Sequence, residues 1–135
     1  MSPVERDRFD RLVEEVIRGL PASVRRALDE VPIVVLDKPT PDLLEGIEDP
    51  EVRQDPESLC GLHTGHSITD RSIEHSGELP SHIHLFRIGI VSLAGGWNGP
   101  DADAAVAEEI RVTILHELGH EMGLDEDDLY DLGYD

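Results

Sequence analysis

The spacing of apolar residues along the chain predicts two helices at its start. Apolar side chains recur every three or four positions over about residues 3–19, the spacing of a helix with one buried face. The residues of this stripe are Phe9, Leu12, Val13, Val16, Ile17 and Leu20. Pro21 starts a second, shorter helix that ends near Glu30, because proline fits the first turn of a helix.

Three apolar runs in the middle of the chain predict strands. The first covers residues 31–37, with Pro32 tolerable near its beginning. The second is short, at residues 59–63, and the third covers about residues 81–91. Residues 42–56, between the first two strands, form an acidic, irregular connection with about one turn of helix.

A long helix follows the glycine-rich segment at residues 94–100 and begins near Asp101 or Asp103. One face of this helix is predicted to be core, because apolar residues repeat along it at Val106, Ile110, Ile114 and Leu118. Gly123 can take a left-handed conformation that ends the helix, and Asp125 then caps a short C-terminal helix. Two N-terminal helices, a small mixed sheet of three to four strands and these last helices predict one α+β domain over residues 1–135.

The long helix carries the pattern H-E-x-x-H at His116, Glu117 and His120. Four helical residues turn by about 400°, so both imidazoles lie on one face, one turn apart, and can reach a single ion. In zinc hydrolases such imidazoles hold the metal, which lowers the pKa of its bound water toward about 7, and the neighbouring carboxylate takes the proton. The pattern predicts zinc as cofactor, His116 and His120 as ligands and Glu117 as the catalytic base.

The residues after the motif offer a third ligand. The chain reverses at Gly123, and in the longer pattern H-E-x-x-H-x-x-G-x-x-ligand the last position falls on Glu126. Glu126 is therefore the predicted third ligand, with Asp125 and Asp127 as alternatives. These acids also suit the first turn of a helix, and both roles can hold together. The metal's identity stays open, since two imidazoles and a carboxylate accept several divalent ions.

This part of the chain resembles the small single-domain bacterial zincin-like metallopeptidases. The resemblance covers roughly the last 80 residues and includes segments 59–62, 70–72, 76–80, 83–87 and 109–120 as well as the acidic tail. It implies a compact α+β zincin in which His116 and His120 bind zinc, an acidic residue completes the site and Glu117 is the base. Members usually carry Asp where Glu126 stands and often an aromatic residue where His63 stands.

Further residues are candidates for contact with a substrate. His82 and His84 share one face of the third strand, and if that strand lies beside the motif helix, an imidazole such as His84, or Arg87, could touch substrate or steady an oxyanion. The alternative is that the two histidines form the solvent face of an edge strand.

Tyr130 and Tyr134 could also donate to an oxyanion or merely pack near the C-terminus. The remaining histidines are predicted to be exposed: His63, His66 and His75.

Composition narrows the class of protein. With 135 residues, 39% of them apolar, and no apolar run near 20 residues, we expect a single domain with no membrane span. The net charge of −19 disfavours nucleic acid as a partner.

The N-terminus lacks a secretory pattern, so a cytoplasmic location is expected. The single cysteine, Cys60, excludes an internal disulfide and is predicted to be a buried thiol. The oligomeric state stays open.

Three functions fit these observations. The leading hypothesis is zinc-dependent hydrolysis of a peptide or protein substrate, with an extended peptide running along a sheet edge. The second is a metal-stabilised protein-interaction module without turnover, which a closed four-ligand site would indicate. The third, ranked lowest, is a deformylase-like amide hydrolase that uses Cys60 as third ligand.

Overall fold

The computed structural model describes residues 1–47, 49–64 and 81–121, and it has the α+β architecture that the sequence predicts. Its elements, in chain order, are α1 (Pro3–Gly19), α2 (Ala22–Glu30), β1 (Ile33–Leu36), α3 (Pro41–Glu45), α4 (Pro50–Gln54), a 3₁₀ turn (Pro56–Ser58), β2 (Gly61–Thr64), β3 (His82–Phe86), α5 (Arg87–Ala94) and α6 (Ala102–Glu121). The predicted short C-terminal helix lies outside the described residues. None of the helices in the described ranges is long and apolar enough to cross a membrane.

Helix α1 forms where the apolar spacing predicts it. Ser2 caps it by accepting a hydrogen bond from the backbone N–H of Glu5 at 3.2 Å, and the Glu5 carboxylate accepts one from the Ser2 backbone N–H at the same distance. This reciprocal pair satisfies N–H groups that have no partner inside the helix. The apolar stripe of α1, led by the fully buried Phe9, then faces the core.

The three described strands form a mixed sheet with the order β1-β3-β2. Strand β1 runs parallel to β3, with Ile33 opposite Ile83, and β2 runs antiparallel to it, with Gly61 opposite Leu85. Strand β3 is therefore the central strand, and the alternative that placed its histidines on an edge strand is wrong.

The predicted third strand is also too long. It ends at Phe86, and the next eight residues form α5. A Cβ atom at Gly89 would lie 2.1 Å from the backbone oxygen of Leu59, so this helix packs directly on the segment before β2. A short apolar run fits a buried helix as well as a strand, and here the packing selects the helix. Residues 42–56 likewise contain two short helices in place of one turn.

Helix α6 supplies the centre of the core. One stripe of it is at most 6% exposed, and its members are Ala102, Val106, Ile110, Ile114 and Leu118. Four of these residues, all but Ala102, belong to one apolar cluster with Phe9 of α1 and with Ile83 and Leu85 of β3. The predicted core face is therefore confirmed, and its burial sets the rotation of α6 about its own axis.

Arg87 joins three elements where β1 and β3 end. Its guanidinium donates to both carboxylate oxygens of Asp10 in α1 at 3.0 Å and to Asp37, just after β1, at 2.9 Å. Asp37 also accepts three hydrogen bonds from Arg6, the shortest 2.6 Å long. The Arg87 side chain is only 12% exposed. Arg87 therefore connects α5 to α1 and β1, and its charged end is occupied by these contacts and not by a substrate.

We expect Asp37→Asn to destabilise the protein by about 1–3 kcal/mol at pH 7, since hydrogen bonds to a charged group lose strength when the charge is removed. Hydrogen bonds from Arg6, and secondarily from Arg87, hold the pKa of Asp37 below its ordinary value. The stabilisation is thus present above the unfolded-state pKa and is lost as the pH falls through the folded-state pKa. Urea unfolding of both proteins between pH 7 and pH 3 measures this, and their difference should shrink toward the acid end.

The matched control is Asp29→Asn, which changes an exposed carboxylate on α2. It should alter the free energy of unfolding by no more than about 0.5 kcal/mol. A loss in Asp37→Asn no larger than in this control, or one that grows on acidification, would contradict the prediction.

Candidate metal centre and catalytic base

His116 and His120 lie one turn apart near the C-terminal end of α6, and their rings converge. Their Nε2 atoms are 3.1 Å apart, and the ring planes are nearly perpendicular at 79°. Both side chains are half-buried. The helix therefore presents two imidazole nitrogens toward one point, as its periodicity predicts.

This geometry fits zinc. Two nitrogen ligands at about 2.0–2.1 Å from a tetrahedral zinc ion lie roughly 3.3 Å apart, close to the spacing of the two imidazoles. Neutral imidazole nitrogen is also a donor that zinc prefers. His116 and His120 can thus hold a zinc ion with little rearrangement.

The described residues offer no third ligand beside this pair. Within residues 1–47, 49–64 and 81–121 there is no group of three His, Cys, Asp or Glu side chains that could hold a metal ion. Cys60 is among them, so the structure does not place its sulfur with the two imidazoles. Glu126, its alternatives Asp125 and Asp127, and the tyrosines Tyr130 and Tyr134 all lie outside the described residues.

Cys60 precedes β2 and is half-buried, so its thiol is less buried than predicted. Burial, with smaller contributions from the charges of Glu109 and Glu117, raises the pKa of its thiol to about 11. Zinc ligands are thiolates, and a protonated thiol is a poor donor. This environment gives no support to the deformylase-like hypothesis.

Glu117 occupies the helix face that packs against β2. A Cβ atom at Gly61 would lie 3.3 Å from Cγ of Glu117 and 2.5 Å from Cγ2 of Thr113. The strand can approach α6 this closely because Gly61 has no side chain. The Glu117 stem therefore lies directly against the backbone of β2, which limits where its carboxylate can be.

The stripes of α6 place the histidines beyond the edge of the sheet. Each residue turns the helix by about 100°. Going around α6 from the core stripe, the stripe of Thr113 and Glu117 comes next, and the stripe of His116 and His120 comes after it. The first of these stripes contacts β2, which is an edge strand among the described strands. The imidazole pair therefore lies just outside that edge, with Glu117 between it and the strand.

A second buried polar contact lies one turn further along α6. Glu121 is fully buried, and its carboxylate Oε2 is hydrogen-bonded to Nε2 of His63, whose side chain is 13% exposed. The prediction that His63 is exposed is therefore wrong, because β2 packs its alternate residues on the helix. Glu121 was not predicted at all, although its spacing of four residues from Glu117 put both on one face. His66 and His75 lie outside the described residues.

His84 lies on the opposite face of the sheet from α6. Its neighbours Ile83 and Leu85 point into the core, and Gly61, which contacts α6, is paired with Leu85. Burial, followed by the nearby His82, lowers the pKa of His84, and its ring stacks on Phe86 at 6.1 Å. The predicted sharing of a face by His82 and His84 is confirmed, but this face leads away from His116 and His120. The geometry therefore does not support a contact between His84 and a substrate at the metal centre.

Comparison with known proteins agrees with this geometry. The profile of the family described as zincin-like metallopeptidase matches residues 28–134, which includes the whole sheet, α6 and the acidic tail. A comparison with individually curated proteins returns no match. Because the family match covers most of the chain, the chain belongs to the zincin-like metallopeptidase family.

Proposed function

We propose that this protein is a zinc-dependent peptidase in which His116, His120 and Glu126 hold the metal and Glu117 is the general base. The observation that carries the proposal is the convergence of the two imidazole Nε2 atoms at 3.1 Å on the helix face next to Glu117. When bound, zinc would supply an acidified water molecule and polarise the scissile carbonyl. The family description supports a peptide or protein as substrate.

Glu117 is suited to move the proton. Its stem packs against the backbone at Gly61, on the stripe of α6 next to that of the two imidazoles. In this position it can accept a proton from the attacking water and later donate it to the leaving amine. A fixed acceptor of this kind is worth about 10²–10⁴-fold in rate.

Strand β2 is suited to orient the substrate. It is an edge strand among the described ones, and an extended peptide can add to such an edge through backbone hydrogen bonds. A peptide in this place would pass the stripe of His116 and His120, which lies just outside the edge. The net charge of −19 would favour neutral or basic peptides over acidic ones.

Glu117→Gln should separate the base from the ligands. We expect bound zinc to stay within about 20% of the parent level, because no ligand is removed, while kcat/KM for a lysine-containing fluorescence-quenched peptide falls about 10²–10⁴-fold. Elemental analysis and steady-state kinetics measure the two quantities. The control is Glu108→Gln on the exposed side of α6, where Glu108 contacts Arg111 at 2.7 Å, and it should keep full activity. Peptide cleavage by Glu117→Gln at the parental rate would refute the mechanism.

Glu126→Ala should weaken zinc binding by more than the roughly 10–100-fold that loss of an outer-shell partner costs, because a direct ligand is removed. Competition with a chelating dye measures the affinity. Asp125→Ala and Asp127→Ala are the matched controls, since each removes a neighbouring carboxylate of the same charge. If either control loses zinc and Glu126→Ala does not, the third ligand has been assigned to the wrong residue.

Cys60→Ser should leave zinc stoichiometry and kcat/KM within about twofold of the parent values, because a thiol with a raised pKa is a poor zinc ligand. The same competition assay and kinetics apply, with Glu126→Ala as the positive control for metal loss. Release of zinc by Cys60→Ser would instead favour the cysteine-ligated, deformylase-like site.

A further inference from the structure

The pair formed by His63 and Glu121 is a buried polar contact that the proposed mechanism does not use. Glu121 is 0% exposed, and a carboxylate so deeply buried is costly unless it is hydrogen-bonded. His63 supplies such a bond from the neighbouring strand, 58 positions earlier in the chain. The pair therefore links the last turn of α6 directly to β2.

The pair shares its helix face with the base. Thr113, Glu117 and Glu121 are spaced by four residues, so they form one stripe, while Gly61 and His63 are spaced by two residues and lie on one face of β2. One helical step of four residues covers about 6 Å, and two strand residues cover about 6.6–6.8 Å. Two neighbouring contacts can thus form at once, the first between Gly61 and Glu117 and the second between His63 and Glu121.

These two contacts restrain different movements. The Gly61 contact is steric and non-directional: a Cβ placed on this glycine would lie 3.3 Å from the Glu117 Cγ. It does not prevent the helix from sliding or turning along the strand. The hydrogen bond from His63 to Glu121 is directional and is satisfied at one register only. It therefore fixes the last turn of α6 along the edge of β2.

We infer that His63 and Glu121 are positioning residues that hold the Glu117 carboxylate in register with a peptide lying on β2. The inference rests on the proposed function. Glu121 follows His120 directly but lies on the stripe of Glu117, so the pair acts on the base and not on the ligands. Loss of the pair should lower kcat and leave KM and zinc binding unchanged.

The decisive test replaces the pair by apolar residues of similar size. A buried polar pair can be exchanged for packed apolar residues with little loss of stability, so the double variant His63→Phe, Glu121→Leu should fold with bound zinc and KM within about twofold of the parent. Its kcat for the fluorescence-quenched peptide should fall about 10-fold or more, the range found for outer-shell partners. The single variant His63→Gln keeps a donor for Glu121 and should recover at least half of the parental kcat.

Asp37→Asn serves as the control, since it destabilises the fold without replacing a residue of α6 or β2 and should keep parental kcat well below its melting temperature. Parental kcat in the double variant, loss of zinc in place of kcat, or an equal loss of kcat in Asp37→Asn would each overturn the inference.

Hydrogen exchange separates this inference from the proposed function. In the zinc-loaded protein, Glu121→Leu should raise exchange at least 10-fold at amides 117–121 and 61–64 and leave amides 102–110 unchanged. If the parent cleaves no peptide, the proposed function fails, and this pattern alone then decides whether the pair sets the register. If the parent is active and neither exchange nor kcat responds, the pair has no positioning role.

Discussion

Every functional feature of this protein follows from the rotation of α6 about its own axis, and burial of one stripe sets that rotation. The stripe from Ala102 to Leu118 is almost completely excluded from water, so turning the helix would expose several large apolar side chains. Once this stripe faces the sheet, the stripe of Glu117 must face β2 and the stripe of His116 and His120 must lie beyond it. The arrangement of the proposed base and ligands is thus a consequence of core packing.

The stripe of Glu117 and Glu121 is the costly one to pack against β2, because it carries two carboxylates. Glu117 and Glu121 are one turn apart in a protein with net charge −19, and like charges at this spacing repel each other. Hydrogen bonding from His63 offsets the cost of burying Glu121, and the absence of a side chain at Gly61 lets the strand approach Glu117. Strand β2 is therefore shaped to this one face of the helix.

A second polar network has a different task. Arg87 and Arg6 converge on Asp37, and Arg87 also holds Asp10, so the N-terminal helix, the first strand and α5 are joined. None of these four residues lies on α6. A change at Asp37 therefore tests stability without replacing a residue of the candidate site.

Local patterns were sufficient for α1, for the core face of α6 and for the stacking of His116 over His120, because helix periodicity alone dictates which residues share a face. They were insufficient at residues 87–94, where an apolar run fits strand and helix equally and contact between Gly89 and Leu59 selects the helix. They also missed the partnership of His63 with Glu121 and the central place of β3. Those features arise from pairing between segments far apart in the chain, and no spacing within either segment records which partner it will meet.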